Sequence, residues 1–216
     1  MFNEERAQKL FKNHVATLTD YGNIKILDFK NPESSKHRIR FIFEEDYYRL
    51  HISGDLGELI VTNPHNMTYE DFDDFVRDIG YFEGKINCCS EPLYYYDEET
   101  IREDVLTLIA ESGTIEEFVE NCRKDSICSS SDNTEDVLNV FFDVLLEDFS
   151  DETGLSQSSR EFLAEYLENS DESWSSNIGK RSTEILNWYM FAFKLAKRQI
   201  DDSTGVQEGT FYEKIY

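Results

Sequence analysis

The distribution of charge is what most limits how this chain can fold. Residues 44–172 carry 35 acidic and 7 basic side chains, whereas residues 1–43 carry 5 and 8 and residues 173–216 carry 5 and 6. The whole of the net −24 therefore sits in the middle of the sequence. Unpaired carboxylates stay in water, so each element of that stretch has to turn an acidic face outward and close a core with the apolar positions that remain. A field of this sign repels nucleic acid and anionic membranes. It attracts cationic surfaces, above all the grooves in which proteins hold nucleic acid.

Residues 68–78, TYEDFDDFVRD, show the pattern at its smallest. Thr68 with Asp71 reads as a capping box, and Tyr69, Phe72, Val76 and Ile79 recur at the three- and four-residue steps of one buried helical stripe. On the other face, Glu70, Asp74 and Asp78 are expected to follow one another at about 6 Å along a single helix, with Asp71 and Asp73 beside them. Like charges so placed repel by a few tenths of a kcal/mol per pair, roughly.

Around this segment the periodicities alternate. Residues 4–19 read as an amphipathic helix with Ala7, Leu10, Phe11, Val15 and Leu18 on one side. Residues 24–29, 37–45, 47–52 and 58–63 are β-branched or aromatic and bounded by turn signals, which predicts a four-stranded antiparallel meander. Ile39, Phe41 and Phe43 are expected on its covered face and Arg38, Arg40 and Ile42 on the other. Residues 81–96 have no clear period and fit one further strand with a loop. Asp97 is expected to cap a helix through Ile101, Val105, Leu108 and Ile109, with Glu98, Glu99, Glu103 and Asp104 turned away from that set. Thr114 with Glu117 starts a short helix that bears Glu116 and Glu120.

The serine-rich residues 126–133 are the expected linker, and everything after them reads as helical. Residues 134–149 place Val137, Val140, Phe141, Val144 and Leu145 inward, with Asp143 and Glu147 around them. Residues 159–168 follow, in a stretch where Glu161 and Glu165 are four apart. The apolar run at 182–200, with Trp188, Tyr189, Phe191 and Phe193, is expected to centre a second core. The class expected is α+β: a sheet domain at 1–125 and an all-helical domain at 134–216.

No apolar run approaches the roughly 18 residues of a membrane span, and the first residues lack the apolar centre of a signal peptide. A cytoplasmic protein is the expectation. Cys88, Cys89, Cys122 and Cys128 show neither framework spacing nor a C-x-x-C pair, so reduced thiols without a metal or other cofactor are expected.

Two local patterns suggest an enzyme. HISGDLGEL at 51–59 has the Gly-Asp character of a metallophosphoesterase loop, with His51 and Asp55 as its chemistry, but a hairpin turn explains Gly54, Asp55 and Gly57 as well. Asp28 and Lys30 on one strand, with Asp20 upstream, have the residue types of a metal-dependent nuclease core. Neither pattern is complete. What recurs is the carboxylate array itself: Glu99 with Glu103, Glu116 with Glu120, and Asp143 with Glu147 stand at helical spacing. Tyr47 and the run Tyr94, Tyr95 and Tyr96 are candidate aromatic anchors among them. Such an array on a rigid surface imitates the phosphates of a nucleic acid. The plainer alternative is an acidic surface that serves only solubility.

The run YYRLHISGDLGELIVTNPHNMTYEDFDDFVRDIGYFEGKI, residues 47–86, resembles a segment of proteins encoded by phages, plasmids and integrated elements of Gram-positive bacteria. In that setting an acidic chain without catalytic motifs resembles anti-CRISPR proteins and anti-restriction DNA mimics. The resemblance implies a non-enzymatic inhibitor in the bacterial host cytoplasm that occupies the nucleic-acid groove of a CRISPR effector nuclease. The other expectations carried forward are a metal-dependent nuclease or phosphoesterase, and an acidic adaptor for some other basic protein.

Overall fold

The structure is a computed structural model that describes residues 2–124, 133–167 and 177–204. The chain forms two compact units, one made of residues 1–93 and 184–216 and the other of residues 94–183. The expected linker lies outside the described residues, apart from Asn133, which caps the helix that follows.

The first unit holds a six-stranded antiparallel sheet in sequence order: β1 (Val15–Asp20), β2 (Ile24–Lys30), β3 (Ile39–Glu44), β4 (Arg49–Gly54), β5 (Leu59–Thr62) and β6 (Ile86–Cys89). This corrects the expectation of four strands. The first helix, α1 (Glu4–Phe11), stops early: His14 N donates to Phe11 O at 2.9 Å and the chain turns. Val15 and Leu18 fit the helical spacing of α1, but residues 15–20 also alternate at period two, and pairing with β2 from Val15↔Lys30 to Asp20↔Lys25 decides between the two. The sixth strand is the segment that lacked a period; its pairing to β5 slips between Ile60 and Val61.

One face of the sheet is fully apolar, with Leu27, Phe29, Ile39, Phe41, Phe43, Leu50, Ile52, Leu59 and Val61 all buried. Over it lie α1, α2 (Asp73–Arg77), α3 (Ile79–Glu83) and the last helix, α8 (Ile185–Thr204). The apolar run expected to centre a second core is thus the cover of the sheet. Phe193 of α8 is the hub, its ring centroid 4.7 Å from Phe72, 5.5 Å from Phe41 and 6.1 Å from Phe43. The opposite face carries Ile26, Asp28, Arg40, Ile42, Glu44 and His51, none of them fully buried. The outer edge of β1 is met by one side chain: Gln199 Oε1 accepts from Ala16 N at 2.9 Å while its Nε2 donates to His14 O at 3.0 Å, as a neighbouring strand would.

Residues 68–78 do not form one helix. Half of the expected capping box is present: Asp71 N donates to Thr68 Oγ1 at 3.1 Å, but the Asp71 carboxylate accepts from that hydroxyl at 2.8 Å, and the pair caps a turn that leads into the five-residue α2. Helix geometry then breaks at Asp78 (φ −133°, ψ 82°), whose Oδ1 accepts from Tyr81 N at 2.9 Å and so starts α3. Asp favours this capping geometry over a helix interior, which is the physical reason for the break.

The second unit is built on α4 (Glu98–Ser112), α5 (Ile115–Lys124), α6 (Thr134–Leu145) and α7 (Gln157–Leu167) around Ile101, Val105, Phe118, Phe141, Leu145 and Leu163. It is not all helical. A ribbon of β7 (Tyr94–Tyr96) and β8 (Lys180–Ser182) pairs where the chain enters and leaves the unit, Tyr94 opposite Ser182 and Tyr96 opposite Lys180. Lys180 Nζ stands 3.7 Å from the Tyr94 ring centroid. No helix among the described residues is long and apolar enough to cross a membrane.

His14 links this core to pH. It is buried between Phe11 and Phe29, at centroid distances of 5.0 and 5.1 Å, and Nε2 donates to His37 O at 2.9 Å, which leaves Nδ1 buried without a partner. Burial pushes its pKa below the usual histidine value. The unfolded chain therefore takes up a proton near pH 6.5, roughly, where the folded one does not, and stability is lost as pH falls through that value. His14→Gln keeps a donor to His37 and removes the titration. In urea melts, the wild type should lose more stability than this variant between about pH 7 and pH 5, with parallel pH dependence above pH 7, roughly.

Candidate acidic interface

The thirteen expected partner-binding carboxylates divide between the two units. Those of the first unit are tied into its fold. Glu70 lies 3.7 Å from Lys25, Asp71 accepts from Thr68 Oγ1 at 2.8 Å, Asp74 accepts from Asn66 Nδ2 at 2.9 Å, and Asp78 caps α3. Asp73 sits half-buried in the first turn of α2. Its charge joins those of Asp201 and Glu70 in raising the pKa of the Tyr69 hydroxyl, an effect dominated by burial of that group. Glu70, Asp74 and Asp78 consequently do not form the expected row along one helix.

The second unit is different. Its residues 94–183 hold 23 acids and 6 bases, a net −17, against 22 and 15, a net −7, in the first. Glu98 and Glu99 occupy the first turn of α4, where the helix N-terminus favours negative charge, and Glu103 stands exposed one turn on. Glu116 and Glu120 are exposed on α5, with Arg123 3.7 Å from Glu120. Asp143 is exposed in the last turn of α6, and Glu147 lies just beyond that helix. Asp104 is the exception: it is half-buried, and its Oδ2 accepts from Gly179 N at 2.8 Å, a bond across 75 residues that holds β8 to α4.

Where the helices of this unit end is more telling than their composition. The last turns of α4, α6 and α7 contain no base. Glu111, Asp143 and Glu165 stand there, exposed, on the carbonyl end of the helix dipole. Each such placement costs about 0.3–1 kcal/mol, where a lysine or arginine would gain as much. Only α5 ends in the usual way, on Arg123 and Lys124. The sequence already put acids at helical spacing here. It did not reveal that Asp143 stands against the dipole, because the helix expected over 134–149 already ends at Leu145.

The residues considered for catalysis do not converge. Asp28 is held by Arg40 at 2.7 and 3.0 Å. Asp20 lies opposite Lys25 and Asp28 opposite Thr17, three residues apart along the hairpin, or about 10 Å. Lys30 is exposed at the far end of β2. His51 Nε2 faces Glu44 at 3.3 Å, whereas Asp55 accepts from Arg38 N at 3.1 Å in the turn after β4, and that bond and the adjacent guanidinium hold its carboxyl below the usual aspartate range. Among the described residues no three His, Cys, Asp or Glu side chains are grouped to hold a metal ion. A cleft of about 340 Å³ opens between α4, α5 and α7, lined by Ile109, Ser112, Thr114, Glu117, Asn121 and Tyr166. The carboxylate of Glu117 is already engaged there, accepting from Thr114 N at 3.2 Å in the capping box expected from the sequence.

These two kinds of acid separate on substitution. Asp78→Ala should cost about 1 kcal/mol, as loss of an N-cap does. Asp143→Lys and Glu165→Lys should each stabilise the protein by a few tenths to about 1 kcal/mol. Denaturant midpoints at low ionic strength measure both; a loss from either lysine variant would place that carboxylate among the structural ones.

No family model, no curated protein and no solved structure matches this chain.

Proposed function

We propose that the chain is a non-enzymatic inhibitor that occupies the nucleic-acid groove of a nuclease of bacterial immunity as a mimic of DNA, a CRISPR effector before others. The observation that carries this reading is the uncompensated acid at the C-terminal ends of α4, α6 and α7. Solubility needs only a net charge of roughly 2 to 8 for a small domain, and the unit of residues 94–183 has −17. Carboxylates kept where they weaken their own helices act on something outside the fold. A groove lined with lysine and arginine is the surface that gains from them. The choice of a CRISPR effector rests on the resemblance of residues 47–86 to proteins of mobile elements, and the protein then works in the cytoplasm of the bacterial host.

The acids that stand against their own helices, together with the exposed Glu103, provide the test. Reversal of Glu103, Glu111, Asp143 and Glu165 to lysine should slow association with a guide-loaded effector by about tenfold or more, with no loss of stability. Raising salt should weaken binding steeply, and target DNA should compete. The control is reversal of Glu4, Glu5, Glu33 and Glu58, exposed acids of the other unit that stand at no helix C-terminus. Equal effects of the two quadruple changes, or association indifferent to salt, would discard the mimic reading.

A further inference from the structure

At one end of the sheet two turns stand side by side. Residues 21–23 join β1 to β2, residues 45–48 join β3 to β4, and Glu45 N donates to Asn23 O at 2.8 Å while Asn23 Nδ2 donates to Asp46 Oδ2 at 2.6 Å. Eight large apolar side chains stand exposed among the described residues, and four of them are here: Tyr21 (67% exposed), Ile24 (37%), Tyr47 (67%) and Tyr48 (51%). Single exposed apolar residues are ordinary, but half of them gathered on one rim, most of them tyrosine, is the composition of a contact surface.

Tyr48 adds a second sign. Its backbone is left-handed, at φ 50° and ψ 43°, a conformation that Asn or Gly adopts cheaply and an aromatic residue does not. Its N–H donates to Glu45 O at 3.3 Å and its C=O accepts from Asn63 N at 3.1 Å, bonds that either of those residues would make as well. Tyrosine is therefore not required by the turn. What it contributes at 48 is a ring that the core leaves half in water.

The charge around the rings selects what they meet. Asp20, Glu44, Glu45, Asp46 and Glu70 outnumber Lys25 and Arg49. Both bases are engaged, Lys25 at 3.1 Å from Glu45 and Arg49 at 3.5 Å from Glu44. Exposed tyrosines also suit the stacking of single-stranded nucleic acid, but its phosphates would here face carboxylates. Arg49 shows the preferred chemistry within the chain, its guanidinium 5.7 Å from the Tyr47 ring centroid and beside Glu44. We propose that this rim docks an arginine-rich polypeptide segment, whose guanidinium groups stack on Tyr21, Tyr47 and Tyr48 while Asp20 and Asp46 take their N–H groups. Arginine is favoured over lysine because its planar group stacks on a ring and still donates in its plane. The proposal deepens the reading above by naming a second contact for a basic partner, and its test contains no nuclease, so the two fail separately.

The full chain, with labelled tyrosine rings, is titrated by NMR with an alternating Arg-Gly peptide of about ten residues and with its Lys-Gly counterpart at roughly 0.15 M salt. The ring signals of Tyr21, Tyr47 and Tyr48 should move at lower peptide concentration than those of Tyr81 and Tyr95, each 46% exposed. The triple change Y21S/Y47S/Y48N should weaken the Arg-Gly peptide by about tenfold, and the Lys-Gly peptide should bind more weakly than the Arg-Gly one. Tyr48→Asn alone should raise Tm by about 2–4 °C and still lower peptide affinity. The proposal is overturned if all five rings move together, if the triple variant binds unchanged, if single-stranded DNA binds better than the peptide, or if Tyr48→Asn lowers Tm.

Discussion

Everything in the first unit depends on the packing of α8 against the sheet. Nine buried side chains on β2 to β5 form an apolar face, and each is worth roughly 1.5–3 kcal/mol when fully removed from water. No other element of the unit brings so many large side chains to that face: Leu186, Tyr189, Met190, Phe191 and Phe193 of α8 are all buried. The edge-to-face rings around Phe193 hold the helix in place, with interplanar angles of 81° to Phe72 and 71° to Phe41 and Tyr69. The same packing carries a cost. The hydroxyls of Tyr69 and Tyr189 are buried in it without a partner, and burial drives both pKa values well above the usual tyrosine range. Gln199, on the same helix, completes the backbone of β1. One helix thus supplies apolar cover and an edge partner together.

The two units handle charge in opposite ways. On the sheet the charged residues pair across strands, Asp28 with Arg40 and Glu44 with Arg49, or with the adjoining turn, Lys25 with Glu45. Such pairs contribute little to stability where they are exposed, yet they leave the sheet close to balanced. In the helical unit the described acids far outnumber the bases available to pair with them. The field that surrounds it is accordingly a property of residues 94–183, not of the chain as a whole.

Much of this was legible in the sequence where the signal is local. The capping residues Asp97 and Thr114, the core positions Ile101, Val105 and Ile109, and the alternation of Ile39, Phe41 and Phe43 all stand as expected. The failures have one physical origin: a local pattern does not name its partner. Residues 15–20 satisfy two periods, and only β2 alongside selects one. An apolar helix at 185–204 reads the same whether it covers a sheet or centres a bundle. The row of Glu70, Asp74 and Asp78 assumed an unbroken helix, and Asp78 had a competing use as a cap. For the candidate interface, acid identity and spacing on α4 and α5 were visible early. The bond from Gly179 to Asp104, and the left-handed backbone of Tyr48, were not, because both are set by residues brought together only on folding.

The order of elements along the chain has a consequence for synthesis. The sheet is complete at β6, residue 89, but the helix that covers its apolar face begins at residue 185. At the usual pace of about 5–20 residues per second, a ribosome would leave that face with only α1, α2 and α3 over it for roughly several seconds, while the second unit emerges and closes on its own core. A half-made chain therefore displays much of a face of phenylalanine, leucine and isoleucine to water, or to a chaperone that meets it first. The intervening segment, with 23 acids against 6 bases, adds like-charge repulsion between two such nascent chains in that interval.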